Sequence, residues 1–272
     1  MKVVISMFTW VMFSFIVSAQ QIIHKNVFSK KMDKDVATVI ITPNFEQGKT
    51  YNSVYILHGF SGNPDRTYKE DIPDLVQLAE KYQTIYIIPD GNFSSWYVDS
   101  LVDEKSQYGT FLGKELIQFI DVNYPTKKDQ KYRGILGWSM GGYGALSIAI
   151  SNQNVFSMVG SVSGAIDFNR FSEAYQLYKV DKVLGDLKNV PSEYFIYNKI
   201  NEIIPSKQMY FISCGTEDKG VIEMNRDLHL KLTNKKIEHL YTESLGVHNA
   251  EYWSKALSDQ LTLFNKYFNI NH

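Results

Sequence analysis

The pentapeptide Gly137-Trp138-Ser139-Met140-Gly141 sets a serine between two glycines. A serine hydroxyl is a weak nucleophile until a neighbouring base takes its proton and a third group orients that base. Gly-x-Ser-x-Gly is common in ordinary turns and gains meaning from its surroundings. An apolar strand before it and a helix after it make a sharp turn that strains the serine and pushes its hydroxyl out at the sheet edge. Gly134 to Trp138 reads as a short buried strand and Met140 to Ser151 as a small-residue helix. Gly137 and Gly141 stand where side chains would collide with the turn. Gly142, Gly144 and Ala145 are expected to let the helix approach the strand. The helix N-terminus facing Ser139 favours developing negative charge. The chemistry this points to is nucleophilic acyl transfer.

Such a serine needs an acid and then a histidine later in the chain. Four histidines follow it, His229, His239, His248 and His272. His229 falls mid-helix, His239 within a strand pattern and His272 at the last position, which leaves His248 in the loop Ser244 to Asn249 as the base. For the acid, Asp218 in Cys214-Gly215-Thr216-Glu217-Asp218 is the first choice, Glu217 the second and Asp167 the third; Asp90 and Asp99 precede the serine. An oxyanion needs backbone donors. The Met140 N–H follows the nucleophile, and the Phe60 N–H in Leu57-His58-Gly59-Phe60 is the expected partner. His58 lies on the wrong side of Ser139 for the base. It reads as a structural residue of that loop, near enough to the site to rank as a substrate-binding candidate.

The elements that must hold these residues alternate. Val36 to Thr42, Tyr51 to Leu57, Thr84 to Ile88, Met158 to Val162, Met209 to Cys214 and Ile237 to Thr242 read as strands. Between them, Ile72 to Lys81 (Asp71 as N-cap, Pro73 in its first turn), Tyr108 to Val122, Val221 to Asn234 and Ala250 to Phe268 read as helices. This predicts an α/β fold with a mostly parallel sheet between helices, its site in loops at the C-terminal strand ends. Ala165 to Lys207 interrupts the rhythm. Helices are expected there at Phe171 to Tyr178 and around Ser192 to Lys199, as an insertion that roofs the pocket with Phe168, Phe171 and Tyr175 lining it.

With 272 residues, 44% hydrophobic, the chain suits one large domain, expected over residues 20–272. A net charge of -1 does not point to a nucleic-acid partner or to a strongly acidic or basic substrate. The lone Cys214 excludes an internal disulfide and a cysteine-rich metal site. Lys2, the apolar run Val3 to Val17 and Val17-Ser18-Ala19 read as a signal peptide over residues 1–19, cleaved after Ala19. The mature chain is then expected outside the cytoplasm, secreted or periplasmic, with no membrane span.

Taken together, the residues resemble the esterase D-like branch of the α/β-hydrolases. That branch includes tributyrin and feruloyl esterases, S-formylglutathione hydrolases and mycolyltransferases. The resemblance rests on Tyr55-Ile56-Leu57-His58-Gly59-Phe60, Ile88-Pro89-Asp90-Gly91 with Trp96-Tyr97, the segment Gly137 to Ala145, Cys214 to Asp218, and Gly246-Val247-His248-Asn249. It covers roughly residues 30–268. The resemblance implies Ser139, Asp218 and His248 as a triad, and Trp96 and Tyr97 beside the site. It departs where the family often has Gly-Gly-His closely followed by Trp; here Val247 intervenes and Trp253 is the nearest tryptophan. The implied function is a secreted serine esterase for acetyl, short-chain or hydroxycinnamoyl esters, free or linked to sugars, without metal or organic cofactor. An acyltransferase on the same scaffold is the alternative, as is an S-formylglutathione hydrolase-like thioesterase, a largely cytosolic subgroup that the signal peptide argues against.

Overall fold

The computed structural model describes residues 21–270, so the expected signal peptide at 1–19 lies outside the described residues. Among them, eight strands form one sheet in the order β1-β2-β4-β3-β5-β6-β7-β8. The strands are β1 Gln21–Ser29, β2 Lys34–Thr42, β3 Asn52–Leu57, β4 Thr84–Pro89, β5 Arg133–Trp138, β6 Met158–Val162, β7 Met209–Gly215 and β8 His239–Ser244. From β4 to β8 all neighbours are parallel, and β1 and β2 add an antiparallel edge. The longer helices are α1 Leu75–Tyr82, α2 Leu116–Asn123, α3 Met140–Ser151, α4 Ile222–Asn234 and α5 Ala250–Ile270. No described helix is long and apolar enough to cross a membrane.

Strand side chains alternate between two apolar layers, because successive residues of a strand point to opposite faces. Tyr55, Leu57, Ile85, Ile87, Tyr210 and Ile212 join one layer, with Leu116, Leu146 and Leu228 of α2, α3 and α4. Val54, Ile56, Tyr86, Ile88 and Phe211 join the other, with Leu78 of α1 and Leu261 and Phe264 of α5. Both faces are therefore covered, and β3 to β7 read as near-continuous apolar runs.

The α/β expectation holds, with three corrections. The α1 helix starts at Leu75 behind Asp74, while Asp71 ends a π-helical turn Thr67–Asp71 and caps nothing. β1 was not expected: it is an edge strand whose one sheet neighbour is β2, so most of its residues are exposed and its sequence alternates poorly. The segment between β6 and β7 holds short pieces in place of the expected helices, among them Phe168–Arg170, Ala174–Leu177, Ser192–Tyr194 and Ile196–Lys199. Ser172 and Lys179 bracket one piece with positive φ, which no helix can run through.

Candidate active site

Strand β5 ends at Trp138 and α3 begins at Met140, so one residue makes the whole turn. That residue is Ser139, at φ 53° and ψ −118°. A non-glycine residue there is strained by about 1–3 kcal/mol, and the turn persists because both flanks are locked. The Ser139 N–H donates to the Val162 carbonyl at 3.0 Å, and the Ser139 carbonyl accepts from Ala165 at 3.2 Å. A side chain on Gly141 would run into the Leu57 carbonyl, so the close approach of α3 to β3 requires glycine. Gly144 does not serve that approach as expected; its missing side chain makes room for the Tyr97 ring.

Three side chains from three loops meet at this turn. His248 follows β8, and its Nε2 lies 2.9 Å from the Ser139 hydroxyl. Its Nδ1 lies 2.7 Å from Oδ2 of Asp218, which follows β7. The Asp218 carboxylate is buried, and among the described residues its ion-pair partner is the His248 imidazole. With Nδ1–H given to Asp218, Nε2 is free to accept the serine proton. Trp253 from the first turns of α5 sets its ring edge-on to His248 at 4.9 Å, so a tryptophan five residues on still walls the imidazole. Glu217 is exposed and leaves His248 to its neighbour. Asp167 is committed elsewhere: it pairs with Arg170 at 3.2 Å and caps the turn Phe168–Arg170.

Two backbone N–H groups remain open beside Ser139. Met140 opens α3, where no carbonyl of its own helix is within reach. The Phe60 N–H makes no hydrogen bond to a protein acceptor among the described residues. The loop that carries Phe60 is fixed by His58, whose Nε2 accepts from the Gly91 N–H at 2.9 Å while Nδ1 meets the Gly59 carbonyl at 2.8 Å. His58 is fully buried and does not line the site.

A cavity of about 550 Å³ opens on one side of Ser139 and His248, walled by Phe60, Trp96, Phe171, Tyr178, Val221 and Met224. Trp96 and Phe171 thus line it as expected, and Tyr97, Phe168 and Tyr175 do not. Tyr97 turns away to donate to the His58 carbonyl at 3.0 Å, and burial holds its phenol well above the usual range. Phe168 is buried behind Trp96 and Phe171, edge-on to both. Tyr175 donates to the Gly185 carbonyl within the insertion. Sequence reasoning missed Tyr178, whose carbonyl accepts from Trp96 Nε1 at 2.9 Å; an aromatic at the end of a short helical piece carries no local signal for this.

The Esterase family model matches residues 29–264. The acetyl esterase of Caldicellulosiruptor saccharolyticus is 27% identical, covering 89% of this chain and 97% of that one. Among solved structures, the fluorophosphonate-binding serine hydrolase FphF of Staphylococcus aureus superposes with a TM-score of 0.81 at 20% identity, over 91% of this chain and 99% of that one. The S-formylglutathione hydrolase of the same organism gives 0.79 at 19% identity, over 91% and 100%. With its α/β-hydrolase sheet and this match over most of its length, the chain belongs to the Esterase family and is a carboxylic ester hydrolase.

Proposed function

We propose that this esterase works through a Ser139–His248–Asp218 triad on esters of short acyl groups, acetyl first, and of hydroxycinnamoyl groups. The observation that carries the reading is the unbroken chain from the Ser139 hydroxyl through both nitrogens of His248 to the buried Asp218 carboxylate. In the first half-reaction His248 Nε2 takes the serine proton as Ser139 Oγ attacks the ester carbonyl. The tetrahedral oxyanion is held by the N–H groups of Phe60 and Met140. The imidazolium then protonates the departing alkoxide, leaving an acyl-serine, and Asp218 stabilises the charged ring throughout. Water attacks the acyl-enzyme with His248 again as base, releasing the acid and restoring the serine.

The acyl range rests on two supports. A relative matched over nearly its whole length is an acetyl esterase. The aromatic-walled cavity is large enough for a phenylpropenoyl group. Export is part of the proposal and rests on the pattern of residues 1–19. Release of p-nitrophenol from its acetate and butyrate esters tests the activity; a wild-type protein inert on both would sink it. Ser139→Ala is expected to lower kcat by at least about 10³-fold, and an unimpaired variant would remove Ser139 from the reaction. An N-terminal sequence beginning at Gln20 in protein recovered outside the cytoplasm tests export.

A further inference from the structure

A second, smaller cavity of about 130 Å³ shares Ser139, His248, Phe60 and Tyr178 with the large one and opens on their other side. Its remaining walls are Gly59, Gly62, Trp138, Trp253, Arg66 and Asp71. Both are walled largely by apolar groups. The large cavity carries its charges on Arg170, Glu217, Asp218 and Lys219, of which Glu217 and Lys219 are exposed, whereas the small one ends on the buried carboxylate of Asp71. Asp71 is 2% exposed, and neither of its oxygens receives a hydrogen bond from the described residues. Arg66 Nε stands 3.5 Å from Oδ1, close enough to pair in charge and too far to donate well. The indole Nε1–H of Trp253, in the same wall, is also buried without an acceptor. Buried polar groups in folded proteins nearly always have partners, so a buried acceptor and a buried donor on two residues that wall one cavity beside the nucleophile call for a reason.

The backbone adds to this. Asp71 closes the π-helical turn Thr67–Asp71, a geometry concentrated at functional sites, and the next helix begins only at Leu75. Its carboxylate is therefore not spent on capping. Burial raises the Asp71 pKa, with Arg66 opposing, so the group gains most from a ligand that hydrogen-bonds to it.

We infer that the small cavity is a subsite for a hydroxyl-bearing group of the substrate, with Asp71 accepting from that hydroxyl and Trp253 Nε1 donating to it. Arg66 holds the carboxylate in place. A purely alkyl group would leave both polar atoms unmet, and an anionic group would face the Asp71 charge. Asp71 is thus a specificity-determining residue of the esterase reaction. The inference rests on the Ser139 reading above. The hydroxyl belongs either to the acyl half or to the alcohol half of the ester.

Two pairs of esters separate these sources: ethyl 3-hydroxybutyrate against ethyl butyrate, and glycerol monoacetate against propyl acetate. The wild-type enzyme is expected to prefer the hydroxylated ester in one pair by at least about tenfold in kcat/KM. In Asp71→Ala that ratio should fall to within about threefold of unity, whereas a merely structural defect would slow both esters alike and leave the ratio standing. Should Asp71→Ala fail to fold, Trp253→Phe must lower the same ratio. Ratios near one in both wild-type pairs, or a ratio that the folded variant leaves unchanged, overturn the subsite while the esterase stands. No turnover of any of the four esters by an enzyme that cleaves p-nitrophenyl acetate also overturns the subsite, whereas an enzyme inert on p-nitrophenyl acetate and butyrate as well removes the Ser139 reading and the subsite with it.

Discussion

The loops that close β5, β7 and β8 and the segment 163–208 face the same serine, and they are built in opposite ways. Each loop puts its residue of the proposed triad within a few positions of a strand end: Ser139 next to Trp138, Asp218 three after Gly215, His248 four after Ser244. Strands in register hold those ends still, so hydrogen bonds of 2.9 and 2.7 Å form without help from the roof. The roof has no strand of its own and is a string of short turns. Its order comes from contacts with the rest of the molecule, such as Trp96 Nε1 on the Tyr178 carbonyl and the Tyr143 hydroxyl on the Tyr194 carbonyl at 2.7 Å. The groups proposed to react thus stand on the rigid frame, and one wall of the pocket stands on a part that depends on tertiary packing. Changes in the first should alter rate for every substrate, and changes in the second should alter choice among substrates.

The sharpest break of this contrast is Asp218→Asn. It keeps the shape and loses the carboxylate that fixes the imidazole, so kcat should fall about 10⁴-fold on every ester. Glu217→Gln, one residue away and exposed, should stay within about threefold of wild type. Reversed effects in a p-nitrophenyl acetate assay would exchange the two acids. In the roof, Phe171→Ala removes a ring that lines the large cavity and packs on Trp96 at 5.5 Å. Its kcat/KM should drop about tenfold for a hydroxycinnamoyl ester and much less for an acetyl ester. An equal drop on both would place Phe171 in the frame and blur the distinction.

The smallest effect concerns the frame's far edge. Arg226 holds Glu243 on β8 down at about 2, with a contact of 2.6 Å. A carboxylate depressed in the fold adds stability above its unfolded pKa and loses it as pH falls through the folded one. The contribution should therefore be whole above about 4.5 and fade towards about 2. The pair is partly exposed, so Glu243→Gln should cost under about 1 kcal/mol in denaturant unfolding at neutral pH and change no ester preference.

How far the chain was legible follows the same division. β6 and α3 lie where the residue pattern puts them, because apolar runs and glycine spacing are local signals. The residues that meet at Ser139 were named in advance because each sits just past a strand and in the expected order. The wall residues read less well. Trp96 and Phe171 face the cavity, but Tyr97, next to Trp96 and equally aromatic, faces the core. Both have positive φ, at 53° and 57°, and which ring points where is set by the space that Gly91 and Gly144 leave for Tyr97. The same limit explains Asp71, which looks like a helix cap by position and is one only if the helix starts where the pattern suggests.

From composition and spacing alone come the α/β class, the strand–turn–helix at Ser139 and the placing of Asp218 and His248 in loops just past later strands, since these depend on a few neighbouring residues each. Only the folded chain decides that His58 is a buried brace for the Gly91 loop, that Trp96 reaches Tyr178, and that two cavities meet at Ser139. Those outcomes depend on which distant side chains arrive at the same place, and no local pattern encodes the distance between residues a hundred positions apart.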